Sequence, residues 1–111
     1  MIQRNLTIIQ GETFTKEVGF KINDQHYPLT GYTAKSQIRP FLGSPELVEE
    51  FTCTVNEEKG SVLMELTPIQ TNKLKKHLYY YDLLLMKNGV NTYYIGGRIF
   101  TKKHEIGRAH V

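Results

Sequence analysis

Short runs in which apolar and polar residues alternate recur along most of this 111-residue chain. Alternation at every second residue places the apolar side chains on one face of a strand, so each run predicts a β-strand with one buried face. Turn-forming residues such as Gly, Pro, Asn and Asp separate the runs. The predicted strands cover residues 6–10, 13–22, 32–39, 51–55, 62–66, 79–86, 90–95 and 98–101.

One helix of a single turn is predicted between the strands at 62–66 and 79–86. Thr67 can cap its N-terminus through the side-chain oxygen, and Pro68 suits the first helical position because the N–H there has no helical partner. Thr71 and Leu74 are three residues apart and therefore share one side of the turn. The chain then enters its most apolar segment.

That segment predicts a β-hairpin. Residues 79–86 read YYYDLLLM and precede Asn88-Gly89, a dipeptide preferred in two-residue type I′ hairpin turns. Such a turn fixes which residues lie opposite one another across the hairpin. The predicted register pairs Lys87 with Val90, Leu84 with Tyr93, and Leu83 with Tyr94.

Both faces of this hairpin are apolar. If Asp82 points outward, alternate residues of its strand point outward as well, and the others face the core. Monomers seldom expose an apolar strip of this kind, so we expect either another chain, or the loop at residues 41–50 or the C-terminal tail, to cover it. The core-facing set is Tyr79, Tyr81, Leu83 and Leu85. The outward strip is Tyr80, Leu84 and Met86, with Tyr93 and Ile95 as cross-strand neighbours.

About eight short strands and one helical turn predict an all-β fold, an immunoglobulin-like Greek-key β-sandwich of about seven or eight strands. The helical turn before a tyrosine-rich strand is typical of the tyrosine corner of such domains, where a tyrosine hydroxyl bonds to backbone upstream; Tyr79 and Tyr81 are the candidates. Tryptophan is absent and there is one cysteine, so the resemblance to antibody domains is architectural. Gly96-Gly97 predicts a bend or bulge at a sandwich corner.

The chain reads as one β-sandwich domain over residues 1–101, followed by a polar tail over residues 102–111, KKHEIGRAHV. A domain of this size can bury about two-thirds of its unfolded surface and can fold without disulfides. The tail has no strand or turn pattern, so we expect it to be unordered alone and to order as an arm on a neighbouring subunit. Its candidate contact residues are Ile106, Arg108 and Val111.

Charge and composition narrow the expected partners. The formal net charge is +3 and the pI is near 9.0, but the basic residues are dispersed, which favours a solvated surface over nucleic-acid binding. The N-terminal residues lack the apolar core of a secretory signal, and no run of about 18 apolar residues predicts a membrane span. One cysteine allows no internal disulfide, so we expect synthesis in a reducing cytoplasm.

The sequence offers no motif for catalysis, and we expect neither a metal ion nor a cofactor. The four histidines stand far apart and lack the spacing of metal ligands. Cys53 lies on the apolar face of its strand with Phe51 and Val55, which favours a small core residue over a nucleophile. Glycine-rich phosphate loops and nucleophile elbows are absent from the sequence. We therefore expect a non-enzymatic protein.

Several short segments, taken together in their order, resemble one group of proteins. They are LTIIQGETF at 6–14, PLTGYTA at 28–34, QIR at 37–39, Leu66-Thr67 with Gln70-Thr71 and Leu74, residues 79–83, and Gly97. This order resembles small proteins of tailed bacteriophages and prophages, and the immunoglobulin-like N-terminal module of phage baseplate upper proteins, over Leu6 to about Arg108. Two features depart from that pattern: Lys75-Lys76-His77 replace a small residue and a glycine, and a following receptor-binding or fibre-like region is missing.

The resemblance implies a virion structural protein of the neck or collar, tail, baseplate or head surface, made in the cytoplasm of the host bacterium. Its expected partners are other phage structural proteins and copies of itself, docked through the apolar strip, the sheet edges and the arm. The alternative is a carbohydrate-binding or host-surface-binding module, because tyrosines such as Tyr27, Tyr32, Tyr80 and Tyr93 can stack on sugars. A third hypothesis is an intracellular regulator that binds a host protein or nucleic acid.

Overall fold

The computed structural model describes residues 2–22, 24–26 and 28–103, with side chains described except at 2, 22, 26 and 92–94. The regular structure in this part of the chain consists of strands and one short helix, as predicted. In chain order the elements are β1 (Ile2–Gln3), β2 (Leu6–Ile9), β3 (Phe14–Gly19), β4 (Lys21–Ile22), β5 (Gln25–His26), β6 (Tyr32–Arg39), β7 (Glu49–Asn56), β8 (Ser61–Leu66), α1 (Pro68–Asn72), β9 (Leu78–Lys87) and β10 (Val90–Lys102).

Seven of the strands form one continuous path, β1-β10-β9-β6-β7-β8-β3, and an eighth, β2, also pairs with β10. The path folds into two layers at β7, because residues 49–51 pair with β6 whereas residues 52–56 pair with β8. We name β1, β2, β10, β9 and β6 the front sheet, and β8, β3 and the second half of β7 the back sheet. Consecutive antiparallel strands β6, β7 and β8, with β3 beside β8, make a Greek key.

The core lies between the two sheets and takes alternate residues from each strand. β9 alternates buried and half-buried residues along nearly its whole length, as predicted, and Ser36 and Ile38 of β6 also face the core. The buried Ser36 hydroxyl donates to the Asp82 carbonyl, which satisfies a polar group that would otherwise be costly to bury. The buried apolar residues are Leu6, Ile8, Val18, Phe20, Leu29, Ile38, Phe51, Val62, Met64, Leu66, Leu74, Tyr79, Tyr81, Leu83, Leu85, Ile95 and Ile99.

The short helix α1 begins as the sequence predicts. The Thr67 hydroxyl accepts the Gln70 N–H at 3.2 Å, and the Gln70 side-chain oxygen accepts the Thr67 N–H at 2.9 Å. This reciprocal pair is a capping box, which satisfies two N–H groups that lack helical partners. Thr71 and Leu74 are both fully buried, so the predicted shared side of the turn is the one that packs on the core.

Tyr79 provides the tyrosine-corner contact that the sequence assigned to Tyr79 or Tyr81. Its hydroxyl accepts the backbone N–H of Lys76 at 3.0 Å, three residues upstream. Tyr81 instead donates to the Arg4 carbonyl at 2.8 Å, so it attaches the N-terminal segment to the sandwich. Both rings are buried. Water therefore does not compete for either hydroxyl, and both hydrogen bonds contribute to the stability of the fold.

The hairpin turn is confirmed, but the predicted register beyond it is wrong. Asn88 and Gly89 both have positive φ, 54° and 77°, as a type I′ turn requires. Lys87 pairs with Val90, and then a bulge between Asn91 and Tyr93 shifts the pairing. A bulge adds one residue without a cross-strand partner, which strict alternation does not anticipate. The resulting pairs are Leu84 with Tyr94 and Leu83 with Ile95.

Gly96 and Gly97 do not bend the chain, contrary to the sequence-based expectation. Both lie inside β10 and pair in register with Asp82 and Tyr81 of β9. A Cβ atom placed on Gly97 would lie 2.0 Å from the carbonyl oxygen of Arg4. Glycine is therefore present here because another backbone approaches closely, which is the second common reason for glycine inside a strand.

The strand that includes these glycines ends at Lys102, where the predicted tail begins. Residues 104–111 lie outside the described residues. The tail as a docking arm, with Ile106, Arg108 and Val111 as its contacts, stays a prediction.

Candidate docking surface

The outer face of the front sheet carries the β9 residues that alternate with the core. Tyr80, Asp82, Leu84 and Met86 are each half-buried, whereas the residues between them are buried. Their partners on β6 are polar or basic. In the same order, those partners are Arg39, Gln37, Lys35 and Thr33. The face is therefore partly apolar along β9 and hydrophilic along β6.

Of the predicted strip, Tyr80, Leu84 and Met86 lie on this outer face, but the assignment of Ile95 to it is wrong. Ile95 is 2% exposed and pairs with the core residue Leu83. The bulge causes this difference, because a shift of one residue moves a strand's side chains to the opposite face. The side chain of Tyr93 and the residues Ile106, Arg108 and Val111 lie outside the described part of the structure.

The chain itself covers the strip only in part. Leu84 and Met86 are neither buried nor fully exposed. The loop at residues 41–50, which was one of the expected covers, lies at the opposite end of the strip, where its residues 41–45 line a cleft with Tyr80 and Asp82. The loop therefore borders one end of the strip and does not replace an external cover.

That loop contains an ordered turn with an exposed apolar tip. The Ser44 N–H donates to the Phe41 carbonyl at 3.1 Å, and Gly43 has a φ of 81°. These features define a type II turn, with Leu42 at its second position and glycine at the third, where positive φ is required. Ser44 is buried, yet Phe41 is 57% and Leu42 79% exposed. The turn holds two large apolar side chains in solvent.

Two adjoining clefts flank this turn and share Leu42, Tyr80 and Tyr81 in their linings. One, of about 400 Å³, lies between the turn and β6. The other, of about 230 Å³, lies toward the N-terminal segment and the middle of β10. Together they form a groove across one end of the outer face. We name it the Tyr80 groove and define it by Arg39, Leu42, Tyr80, Tyr81, Asp82 and Arg98.

Hydrogen bonds position the polar side chains of the groove. One Asp82 carboxylate oxygen accepts the backbone N–H of Gln37 at 3.2 Å. The Arg39 guanidinium donates to the Gln37 side-chain oxygen at 2.5 Å and to the Glu46 carbonyl at 3.4 Å. Both acceptors of Arg39 are neutral, so its positive charge is held in place without being neutralised.

Two arginines of the groove flank Tyr80, and the backbone of a third, Arg4, contacts Tyr81. Arg39 and Arg98 pair in register with Tyr80 from its two sides. The Arg4 backbone lies next to Tyr81, whose hydroxyl donates to the Arg4 carbonyl at 2.8 Å; burial raises the pKa of Tyr81 and the charge of Arg4 opposes that rise. The ion pairs found among the described residues, Lys59 with Glu17 at 3.0 Å and Lys73 with Glu49 at 3.4 Å, involve none of these arginines. The groove is therefore basic.

Sequence reasoning selected Tyr80 but missed the arginines and Leu42. Arg39 and Arg98 are distant in sequence and meet beside Tyr80 only through the strand register. The Leu42-Gly43 pair does carry a usable signal, because glycine favours the third position of a type II turn and thereby marks Leu42 as a turn tip. A leucine side chain exposed at a turn tip is notable, because leucine is among the residue types most often buried.

The tyrosines expected to stack on sugars differ in their surroundings. Tyr32 is half-buried and lies under the Lys87 ammonium, 5.2 Å from the ring centre. Tyr80 is half-buried and lines the groove. Tyr27 and the Tyr93 side chain lie outside the described residues. Among the tyrosines described, Tyr80 therefore combines a partly open ring with neighbouring polar groups.

The described residues include one thiol, that of Cys53. Burial and, secondarily, the charge of Glu50 raise the pKa of Cys53 to about 11, so the thiol stays protonated at neutral pH and is a poor nucleophile. Within the described ranges, no three His, Cys, Asp or Glu side chains come together in a way that could hold a metal ion. No described helix has the length and apolar character needed to cross a bilayer.

Comparison with known proteins gives a structural match without a sequence match. Neither a protein-family model nor a curated protein matches the chain. A solved structure of the natural-killer-cell receptor Nkp44, described as a triggering partner in natural cytotoxicity, matches with a TM-score of 0.56. The match covers 92% of this chain and 100% of the receptor chain at 8% identity. The fold is immunoglobulin-like.

At this level of identity the likeness shows the fold alone. The receptor's immunoglobulin-type sandwich agrees with the Greek-key arrangement and the tyrosine corner described above. The resemblance to phage structural proteins is independent of this match and stays a prediction.

Proposed function

We propose that this chain is a non-enzymatic structural protein of a tailed-phage particle, which docks the outer face of its front sheet onto a neighbouring subunit. The phage assignment is supported by the order of sequence segments that resembles baseplate-type modules. The docking role is supported by one observation above all: an ordered turn holds Phe41 and Leu42 in solvent, 57% and 79% exposed, beside the half-buried Tyr80.

The energetic reason for docking is the removal of this apolar surface from water. Full burial of a leucine or phenylalanine side chain contributes about 1.5–3 kcal/mol. The turn that carries Phe41 and Leu42 is already fixed by its own hydrogen bonds, so a partner would pay little entropy to order it. A preorganised apolar tip on a rigid sandwich is suited to the centre of an interface, where a few buried side chains supply most of the binding energy.

A second contact can form at the sheet edge. β6 pairs with β9 along residues 32–39 but with β7 only at residues 36–38. Among the described strands, residues 33–35 therefore present one edge without a neighbouring strand. Open edges accept a strand from another chain, so we include strand addition at β6 in the proposed docking mode.

Particle incorporation tests this function. Virions purified from cells that express the wild-type chain should contain it, as measured by quantitative mass spectrometry. Leu42→Asp should reduce incorporation at least about tenfold, because a charge replaces an apolar contact. Ile69→Asp is the matched control, since Ile69 on α1 is 75% exposed and lies away from the groove. Absence of the wild-type chain from particles would refute the virion role.

A carbohydrate-binding or host-surface-binding module is the second candidate. The Tyr80 ring lies in a cleft of about 400 Å³ with Gln37, Arg39 and Asp82, and an aromatic ring beside polar groups suits a sugar. We favour protein docking because two large apolar side chains that line this cleft, Phe41 and Leu42, are 57% and 79% exposed. Glycan-array binding that disappears in Tyr80→Ala, with unchanged thermal unfolding, would favour the sugar-binding role instead.

A further inference from the structure

We propose that the Tyr80 groove binds an acidic segment of the partner protein that also carries a large apolar residue. In this complex, carboxylates of the segment pair with Arg39 and Arg98, and its apolar side chain packs against Leu42 and Tyr80. The proposal rests on the proposed function in one respect, that the occupant is a protein. It adds the chemistry by which that protein is recognised.

The strand register sets the spacing of the two basic groups. Arg39, Tyr80 and Arg98 occupy one row across β6, β9 and β10. Neighbouring strands are about 4.8 Å apart, so the two arginine backbones lie about 10 Å apart. Residues two or three positions apart in an extended peptide span a similar distance, about 7–10 Å. An extended segment with two acidic residues at that spacing can therefore reach both guanidinium groups.

The charges around the groove favour an acidic occupant. Arg98 is exposed, and its guanidinium has no hydrogen bond or ion pair with the described residues, while Arg39 bonds to neutral oxygens. The groove's own acid, Asp82, accepts a backbone N–H, and nearby Glu50 accepts from the Gln37 side chain at 3.3 Å. Guanidinium groups bind carboxylates in a planar, two-bond geometry. The two arginines thus remain available for carboxylates from outside.

The apolar tip distinguishes a protein segment from a nucleic acid. Phosphate backbones are bound by basic stripes that follow a long surface. Here, instead, Leu42 lines the groove with both arginines, and Phe41 lines the cleft that contains Arg39. An apolar side chain of the occupant would gain from packing on this tip, and the excluded water would strengthen the adjacent ion pairs. The combination fits a peptide that alternates acidic and apolar residues.

Selection from a random peptide library provides the test. Peptides of about twelve residues, which can cross the groove in extended form, are selected on the full-length wild-type protein and measured by fluorescence anisotropy. Selected peptides should be enriched in Asp or Glu near large apolar residues. Arg98→Glu and Leu42→Ser should each weaken their binding at least about tenfold, and Arg98→Lys should restore part of it.

Matched controls make the result specific to the groove. Lys75→Glu makes the same charge reversal as Arg98→Glu, and Ile69→Ser removes an exposed apolar side chain as Leu42→Ser does; both should bind like wild type. Thermal unfolding checks that every variant folds. Selection that yields no binder, binders without acidic enrichment, or equal losses in the controls would overturn the proposal. So would a twelve-nucleotide single-stranded DNA that binds more tightly than the peptides and loses binding in Arg98→Glu.

The two proposals can fail separately. If the peptides bind as expected but the chain is absent from particles, the groove chemistry stands and the virion role fails. If the chain is incorporated into particles, Arg98→Glu incorporates normally and no acidic peptide binds, the virion role stands and the groove proposal fails.

Discussion

Gly97 lies where the backbone of β10 meets the backbone of the N-terminal segment. A Cβ atom there would be 2.0 Å from the Arg4 carbonyl oxygen, and backbone cannot yield as a flexible side chain can. We predict that Gly97→Ala lowers the free energy of unfolding by at least about 2 kcal/mol, measured by urea denaturation. Gly19→Ala in β3, where no atom lies within 4 Å of the added Cβ, should change it by less than about 1 kcal/mol. Equal effects would contradict this explanation.

The raised pKa of Cys53 predicts a pH-dependent stability and reactivity that can be tested on a single thiol. Burial and the charge of Glu50 raise its pKa from 9.0 to about 11, so folding favours the protonated form. The associated stabilisation is complete below about pH 9 and is lost as the pH rises through 11. At pH 8 the thiolate fraction should be about a hundredfold smaller in the folded protein than in urea. Iodoacetamide labelling should slow by at least that factor; equal rates would show that the thiol is not buried.

Among the secondary-structure elements, the attachment of α1 to the loop between β2 and β3 gives the clearest testable prediction. The Thr71 hydroxyl donates to the Glu12 carbonyl at 2.8 Å and accepts the Gly11 N–H at 3.0 Å, which joins the helix to the loop between β2 and β3. We predict that Thr71→Val, which keeps the shape but removes both bonds, costs about 1–3 kcal/mol of unfolding free energy. Thr71→Ser keeps the hydroxyl and should cost less. A larger loss for serine would mean that packing, rather than hydrogen bonding, holds the helix.

The elements themselves were largely predictable, because their signals are local. Alternation marked β6 at its observed bounds, and Thr67 with Pro68 marked the start of α1. The bulge between Asn91 and Tyr93 was not predictable, because the types of residue in the strand do not reveal which of them lacks a cross-strand partner. That one residue placed Ile95 in the core instead of on the docking surface. Gly97 carried a real signal, but its cause is the distant Arg4 backbone and not a bend.

The candidate site was less predictable than the fold because it is assembled across the molecule. Tyr80 could be assigned to the outer face from its position between core residues of β9. The positions of Arg39 and Arg98 beside it depend on the register of β6 with β9 and of β9 with β10. Pairing between distant segments is set by the whole fold and has no short sequence signature. The groove can therefore be identified from the three-dimensional structure but not from the sequence.

At the scale of the whole molecule, the two sheets enclose one core and leave one outer face with an exposed apolar tip and two arginines, Arg39 and Arg98. Back-sheet positions on the opposite side are more acidic and more polar, with Glu17 and Glu65 among them. This asymmetry is the physical reason for expecting the front sheet, rather than the back sheet, to meet a partner. A single immunoglobulin-like sandwich with one such face can act as an adaptor between larger subunits.

The most direct measurement of the proposed docking role is an electron cryo-microscopy map of the phage particle in which we propose that the chain is assembled. We predict that the Phe41-Leu42 turn and the Tyr80 groove are buried against a neighbouring subunit, with carboxylates of that subunit beside Arg39 and Arg98. A map in which the chain is present but its front-sheet outer face is open to solvent, with contacts made only through the back sheet, would contradict the docking claim.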